Sequence, residues 1–493
     1  MVAVAAALRL ATLDHHGFGI DEVATARALT TGAGDMVAER LRSGHPPAWF
    51  LLAWALARLG GAAEWLLRLP AALAGTGAVA FLYLLVARLA GRRAALLAAA
   101  LLALSPSALA LSQQARAYST VQCLGLAAAW ALARGEGEER RTSRAGPSVA
   151  FGALSALNLY VHYAALPVLV AQLLHLLARR RPRWRLAAGG AAALVLFAPW
   201  ALAMLRLDQG LGRPLRWASP LGEDSLPLLL RQGLVRAELP PGPGWIALVW
   251  AAVAAVLVLA AVGALRLGER GRLLAWLALG PPAIGLGVAA FGPNVVAADR
   301  WYATSAAALL GLAAVGVAGV AGGGDGRERT APGSAARGWR RAVGAALLVA
   351  LSAAGCAAVL RVPQGRADWR QMARILDRRL LPGEEVALLV DTPWRRSNLA
   401  YYWPGPVRLL GEGAGVPAGV GGVWVGTTRD RLDVTPGGPG GRPSAASREL
   451  AAIRCRFPRR EAFAIGAGQL VHFSLPPPSA GGEEGTGRRP GGP

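Results

Sequence analysis

Five short polar stretches in an otherwise apolar chain hold the side chains equipped for chemistry. They are Asp21-Glu22, His45-Pro46-Pro47, Ser112-Gln113-Gln114-Ala115-Arg116-Ala117-Tyr118, Tyr160-Val161-His162-Tyr163 and Asp299-Arg300-Trp301-Tyr302. Acids, cations and aromatics of these kinds can build one cleft. A carboxylate within hydrogen-bond reach of a hydroxyl can take its proton, and a planar guanidinium offers paired donors to an anion. Each stretch alone also has a plainer reading. By composition Asp21-Glu22 is a solvated loop pair, and Arg116 is an interfacial anchor whose stem snorkels from the apolar layer. His45 either caps a helix or contacts phosphate, and His162 and Tyr163 either pack at a helix turn or touch substrate.

The elements that must carry these stretches are membrane helices. The 493 residues are 54% hydrophobic, yet carry 52 basic against 29 acidic residues, a formal charge of +23. The basic residues are all arginine and fall in short clusters between apolar runs, the pattern that orients a membrane protein rather than one that binds nucleic acid. Runs of roughly 17 to 25 apolar residues satisfy a bilayer core of about 30 Å. They occupy about 66–89, 94–111, 119–133, 148–161, 164–178, 186–203, 245–265, 273–291, 303–321 and 342–360. A first helix cut short near Met1 brings the expectation to about eleven spans.

Arginine clusters fall in every second connection, which puts those loops in the cytoplasm and the polar stretches on the outer face. Ala48 to Leu59 is too short to span and follows two prolines, so it reads as a helix along the outer interface, with Pro47 in its first turn. After Arg361 the texture becomes mixed: helical periodicity over Asp368 to Leu380, then strands at Glu385 to Asp391 and Val423 to Thr427. The expected organisation is an all-α polytopic membrane domain over 1–361, a small extracytoplasmic α/β domain over 362–475 and a disordered Pro/Gly-rich tail over 476–493. Cys123, Cys356 and Cys455 have neither metal-ligand nor disulfide spacing.

The ordered series of acidic pair, His-Pro-Pro, Arg68-Leu69-Pro70, Ser-Gln-x-Ala-Arg-x-Tyr and Tyr-x-His-Tyr resembles the GT-C superfamily of membrane glycosyltransferases. Within it the series is most similar to the family 39-like branch of protein O-mannosyltransferases and lipid A aminoarabinose transferases. The resemblance runs in order from residue 9 to about 302. It implies an inverting transfer of sugar from a polyprenyl-phosphate donor to a protein, lipid or cell-envelope glycan acceptor, on the outer face of the cytoplasmic membrane. Asp21 matches the catalytic aspartate and Glu22 the second acid of the pair. His45, Gln114, Arg116, Tyr118, His162, Tyr163, Arg300 and Tyr302 are the implied substrate and phosphate contacts. A phosphate leaving group needs cations more than a proton donor, which suits Arg116 and Arg300. Relatives often carry an acid where this chain has Gln114. No nucleotide-sugar motif stands out, and the expectation is a reaction without cofactor or metal.

Two rival classes are weighed beside this one. A secondary transporter or flippase-like protein would place ionisable groups near the bilayer midplane, where these spans are nearly free of them, though Gly280-Pro281-Pro282 should break one helix. A membrane scaffold would use the aromatics Trp369, Trp394, Tyr401, Tyr402 and Trp403 of the C-terminal domain, either as a sugar-stacking surface or as core.

Overall fold

In the computed structural model the described residues are 1–138, 145–179, 183–207, 230, 243–291, 299–318, 334–361, 368–389, 396–411, 415–416, 418–427, 444–465 and 468–476. The long connection expected over 206–244, Trp394 and the tail from 477 lie almost wholly outside them. The chain divides into two compact units, one of residues 1–15 with 21–364 and one of residues 16–20 with 365–493.

The first unit is helical. It opens with α1 (Val2–Leu10), α2 (Ile20–Ala28), α3 (Ala33–Arg42) and α4 (Ala48–Gly60). The apolar series follows as α5 (Glu64–Ala90), α6 (Arg92–Ala103), α7 (Pro106–Ser112), α8 (Tyr118–Glu138), α9 (Gly146–Val161), α10 (Ala165–Leu177), α11 (Trp184–Leu205), α12 (Pro243–Leu267), α13 (Arg272–Phe291), α14 (Ala303–Ala318) and α15 (Ser334–Arg361). As far as its residues are described, every apolar run of the sequence is a helix or a bent pair of helices. Among the described residues, four helical stretches are long and apolar enough to cross a bilayer, and five if α6 and α7, bent by 58°, form one span. The bend follows from Ser105, whose side chain accepts from the Ala108 amide and caps a new helix that begins at Pro106.

Gly280-Pro281-Pro282 does not break its helix, contrary to expectation: α13 is continuous from Arg272 to Phe291. Gly280 leaves room for Ala171 of α10, since a Cβ there would meet the alanine Cβ at 2.7 Å. Packing against that neighbour holds the helix through the two missing amide donors. Elsewhere small residues let backbones meet, as in a membrane interior. A Cβ on Gly263 of α12 would lie 1.9 Å from the Leu312 carbonyl, and one on Gly316 of α14 would lie 2.1 Å from that of Leu259.

The short helix α4 buries Trp49, Phe50 and Ala53 and leaves Leu51, Leu52 and Leu59 exposed. Apolar on both sides yet only 13 residues long, it suits a helix held by protein on one side and lipid on the other.

The second unit is α/β. Its sheet runs in the order β2 (Val407–Leu409), β1 (Glu384–Leu389), β3 (Gly422–Thr427), β5 (Gly468–Ser474), β4 (Arg459–Ile465). β1 is parallel to β2 and β3, while β5 is antiparallel to β3 and β4. Residue alternation sends Val386 and Leu388 to a core with Trp369, Met372 and Leu376 of α16 (Trp369–Arg379) and with Leu399 of α17 (Arg396–Tyr402). Ala387, Val423 and Val425 face Leu450 and Ile453 of α18 (Ala445–Arg456). Trp369 and Trp403 are therefore core residues. Residues 16–20 join this unit, which the sequence did not indicate: the Gly17 amide donates to Asp368 Oδ1 at 3.2 Å, and the Phe18 ring meets Tyr401 edge-on at 5.8 Å.

Candidate functional site

The loop Ser112–Arg116 is the keystone of the site, because its residues are tied one by one to the first two helices. Ser112 Oγ accepts from Arg9 Nε at 3.2 Å, and Gln113 donates to the Leu8 carbonyl at 3.4 Å and to Thr12. The Ala115 amide donates to Glu22 Oε1 at 2.8 Å. Arg116 Nη1 reaches the Asp21 carbonyl at 3.4 Å and Thr25 Oγ1 at 3.3 Å. Arg9 is wholly buried and also donates to the carbonyls of Ala5, Leu102 and Ala103. Gly75 makes room for this junction, since a Cβ there would lie 2.0 Å from Ser112 Oγ and 3.0 Å from Arg9 Nε.

Asp21 and Glu22 are neighbours with different surroundings. The Asp21 side chain is 27% exposed, and its Oδ2 accepts from Arg300 Nη1 at 2.7 Å. Glu22 is 1% exposed and meets Arg68 in a two-point pair, Nε to Oε1 at 2.8 Å and Nη2 to Oε2 at 3.0 Å. Arg68 also donates to the Leu13 carbonyl at 2.7 Å. With the Ala115 amide, these bonds occupy Glu22 inside the protein. Of the acidic pair, Asp21 is the member open to a substrate.

The two guanidiniums expected to meet a phosphate come together here. Arg300 lies over the Tyr118 ring at 5.3 Å and Arg116 at 5.9 Å from the same ring centre. Gln122, one turn further along α8, donates to the Ala303 carbonyl at 2.7 Å, which fixes the start of α14 and with it Arg300. The intervening Trp301 is buried and packs on Tyr163 at 5.1 Å and His162 at 6.1 Å. The Tyr302 hydroxyl points at α13, where a Cβ on Gly285 would lie 2.0 Å from it, so Tyr302 is a packing residue.

His162 is buried, stacks near Tyr163 at 4.4 Å and Tyr118 at 5.3 Å, and its Nδ1 accepts from the Ala164 amide at 3.0 Å. Burial above all, with the nearby guanidinium of Arg116, pushes its pKa well below the usual imidazole value, so it is neutral. His45 donates from Nδ1 to the Ser43 carbonyl at 3.0 Å. Burial and then the Arg116 and Arg40 guanidiniums lower its pKa to about 4. Gln114 is 2% exposed, and its side-chain nitrogen has no hydrogen-bond partner among the described residues. No three His, Cys, Asp or Glu side chains converge among the described residues.

Asp21, Arg116, Tyr118 and Arg300 thus form one charged centre, with His45, His162 and Tyr163 beside Arg116. Sequence reasoning missed Arg9, Arg68's direct grip on Glu22, Thr25, Trp49 and Trp301. Arg68 and the tryptophans carried a local signal, lying within or just after the motifs, while Arg9 and Thr25 carried none.

The geometry has counterparts. Residues 44–202 match the family model described as dolichyl-phosphate-mannose-protein mannosyltransferase. No curated protein sequence matches the chain. Among solved structures, ArnT from Cupriavidus metallidurans in the apo state has a TM-score of 0.56 at 15% identity, covering 96% of each chain. The same protein bound to undecaprenyl phosphate gives 0.52 at 15% identity, covering 96% of this chain and 97% of that one. The oligosaccharyltransferase AglB from Archaeoglobus fulgidus, in complex with an inhibitory peptide and a dolichol-phosphate, gives 0.50 at 13% identity over 86% of this chain and 68% of that one. The family match covers residues 44–202, and the likeness to ArnT over nearly the whole chain shows a shared fold. The helical unit carries the charged centre that the motif series led to, and the small sheet unit follows it in the chain.

Proposed function

We propose that this protein transfers a sugar from a polyprenyl-phosphate donor to a hydroxyl acceptor, with inversion, at the outer face of the cytoplasmic membrane. The observation that carries the reading is the meeting of Asp21 with Arg300 and Arg116 in a partly buried cleft. The binding of undecaprenyl phosphate by ArnT and of dolichol-phosphate by AglB supports the donor class.

In this mechanism Asp21 takes the proton of the acceptor hydroxyl while that oxygen attacks the anomeric carbon. The bond from the anomeric carbon to the phosphate oxygen breaks, and polyprenyl phosphate leaves with its new charge facing Arg116 and Arg300. In the free protein Arg300 holds Asp21; the donor phosphate competes for that guanidinium and releases the carboxylate when there is a reaction to run. Glu22 is a positioning residue: through Arg68 and the Ala115 amide it fixes the loop that carries Arg116. The arginines supply the charge that a metal would otherwise bring, so EDTA leaves turnover unchanged in this reading.

The outward orientation rests on α5. Arg68, bound to Glu22, and Arg88, bound to the Ala133 carbonyl at 2.9 Å, sit 20 residues apart on one helix. At 1.5 Å per residue this separates the site from an arginine-rich helix end by about 30 Å, the thickness of a bilayer core. Arginine-rich ends stay in the cytoplasm. The acceptor is a protein, a lipid or a cell-envelope glycan.

The test is turnover by membranes containing the full chain, given polyprenyl-phosphate mannose, glucose or arabinose and scored for labelled product. Asp21→Asn is expected to abolish transfer with expression intact. Near-normal turnover by that variant refutes the assignment.

A further inference from the structure

Beside the charged centre lies a crevice lined by His45, Trp49, Arg116 and His162, with apolar walls from Pro46 and Phe50. Its free volume of ≈ 10 Å³ is about that of one water-sized group. One of its buried polar groups has no partner among the described residues. Trp49 is 2% exposed, and its Nε1–H makes no hydrogen bond among the described residues. A buried donor left so costs about 1–3 kcal/mol, so such a group is normally matched by something.

Beside it on the crevice wall stands the imidazole of His45. Its Nδ1 faces the Ser43 carbonyl, which can only accept, so Nδ1 carries the proton and Nε2 is a bare lone pair on a neutral ring. Among the described residues the ring's one hydrogen bond is that to Ser43, and the contacts to Phe50 and Tyr163 hold its plane at centroid distances of 5.9 and 6.4 Å. A neutral imidazole that offers a lone pair does not bind a phosphate oxygen. It suits a group that donates.

A hydroxyl is the group that accepts from an N–H and donates to an imine nitrogen at once. We infer that this crevice is a subsite for one hydroxyl of the donor's sugar, which accepts from Trp49 Nε1–H and donates to His45 Nε2. The inference rests on the donor reading above, because Arg116, the phosphate ligand in that reading, lines the same crevice and so places the hydroxyl next to the glycosyl phosphate. The pair is specificity-determining: it distinguishes sugars by whether a hydroxyl stands at that ring position.

The experiment uses the full chain in detergent and short-chain polyprenyl-phosphate sugars: the mannose, glucose and arabinose parents, and monodeoxy derivatives of each parent that binds. Binding is measured by calorimetry and turnover in parallel. An unfilled polar pair costs about 1–3 kcal/mol, which converts to a factor of about 5 to 150. One monodeoxy donor is expected to bind more weakly than its parent by a factor in that range. His45→Asn, which can still donate to the Ser43 carbonyl but places no acceptor at Nε2, and Trp49→Phe, which keeps the ring and removes the N–H, should each shrink that ratio to within about threefold. If every deoxy donor binds the wild type like its parent, the crevice holds only water and the inference fails while the donor reading stands. Discrimination that survives in both variants assigns the hydroxyl to other residues. If neither parent nor deoxy donors bind, the donor reading and this subsite fall together.

Discussion

Removal of Glu22 should be most damaging when Arg68 is left behind. The two side chains are 1% and 3% exposed and share two bonds of 2.8 and 3.0 Å. Taking away one partner of a buried pair strands the other charge and costs about 3–5 kcal/mol, whereas replacing both by apolar residues of similar size is often neutral. Glu22→Leu leaves a buried guanidinium with the Leu13 carbonyl and orphans the Ala115 amide, which adds about 1–3 kcal/mol. Arg68→Leu leaves a carboxylate facing that amide. The double variant keeps only the smaller losses, so it should be no less stable than Glu22→Leu, with a coupling energy of at least about 3 kcal/mol. Unfolding of the four proteins in mixed micelles by SDS titration, followed by circular dichroism, measures it. A double variant whose loss equals the sum of the singles, about 7–13 kcal/mol, refutes the buried-pair account. A turnover loss in Glu22→Gln as deep as that in Asp21→Asn would refute the positioning role and return Glu22 to the chemistry.

Other consequences are open to direct measurement. His45, held to a pKa of about 4 against about 6.5 in an unfolded chain, binds fewer protons folded than unfolded, so its contribution to stability is complete above pH 6.5 and is lost as pH falls towards 4. That contribution is at most about 3 kcal/mol, and His45→Asn should flatten the stability profile in that window; an unchanged slope contradicts it. Arg116→Lys keeps the charge but loses the planar pair of donors, so the KM for the lipid-linked donor should rise about tenfold, and an unchanged KM counts against phosphate binding. Gly316→Ala drives a methyl into the Leu259 carbonyl, and a loss of about 1–3 kcal/mol is expected in the same SDS titration; wild-type stability would mean that α12 and α14 part at no cost.

Much of the helical unit was legible because each apolar run carries its own evidence of length. Asp21, Arg116 and Tyr118 were legible for a different reason: they sit in short motifs whose order survives in the chain. What could not be read was the pairing. Glu22 and Arg68 are 46 residues apart and Arg9 and Ser112 are 103 apart, separations that no local period spans. The break expected at Pro281-Pro282 failed similarly, since the contact of Gly280 with Ala171 that supports α13 comes from a distant helix. Residues 16–20 offer the sharpest case. Nothing in five residues announces that they belong with a unit that begins some 350 positions later.

The stitching of Ser112, Gln113, Ala115 and Arg116 to the first two helices leaves one residue of that loop unspent. Gln114 presents a side-chain nitrogen that no hydrogen bond claims among the described residues. A lineage could exchange this residue while every anchor around it persists, so divergence in acceptor or sugar has an inexpensive point of entry there. An altered loop length has no such freedom, because a single inserted residue would slide four attachments out of register together.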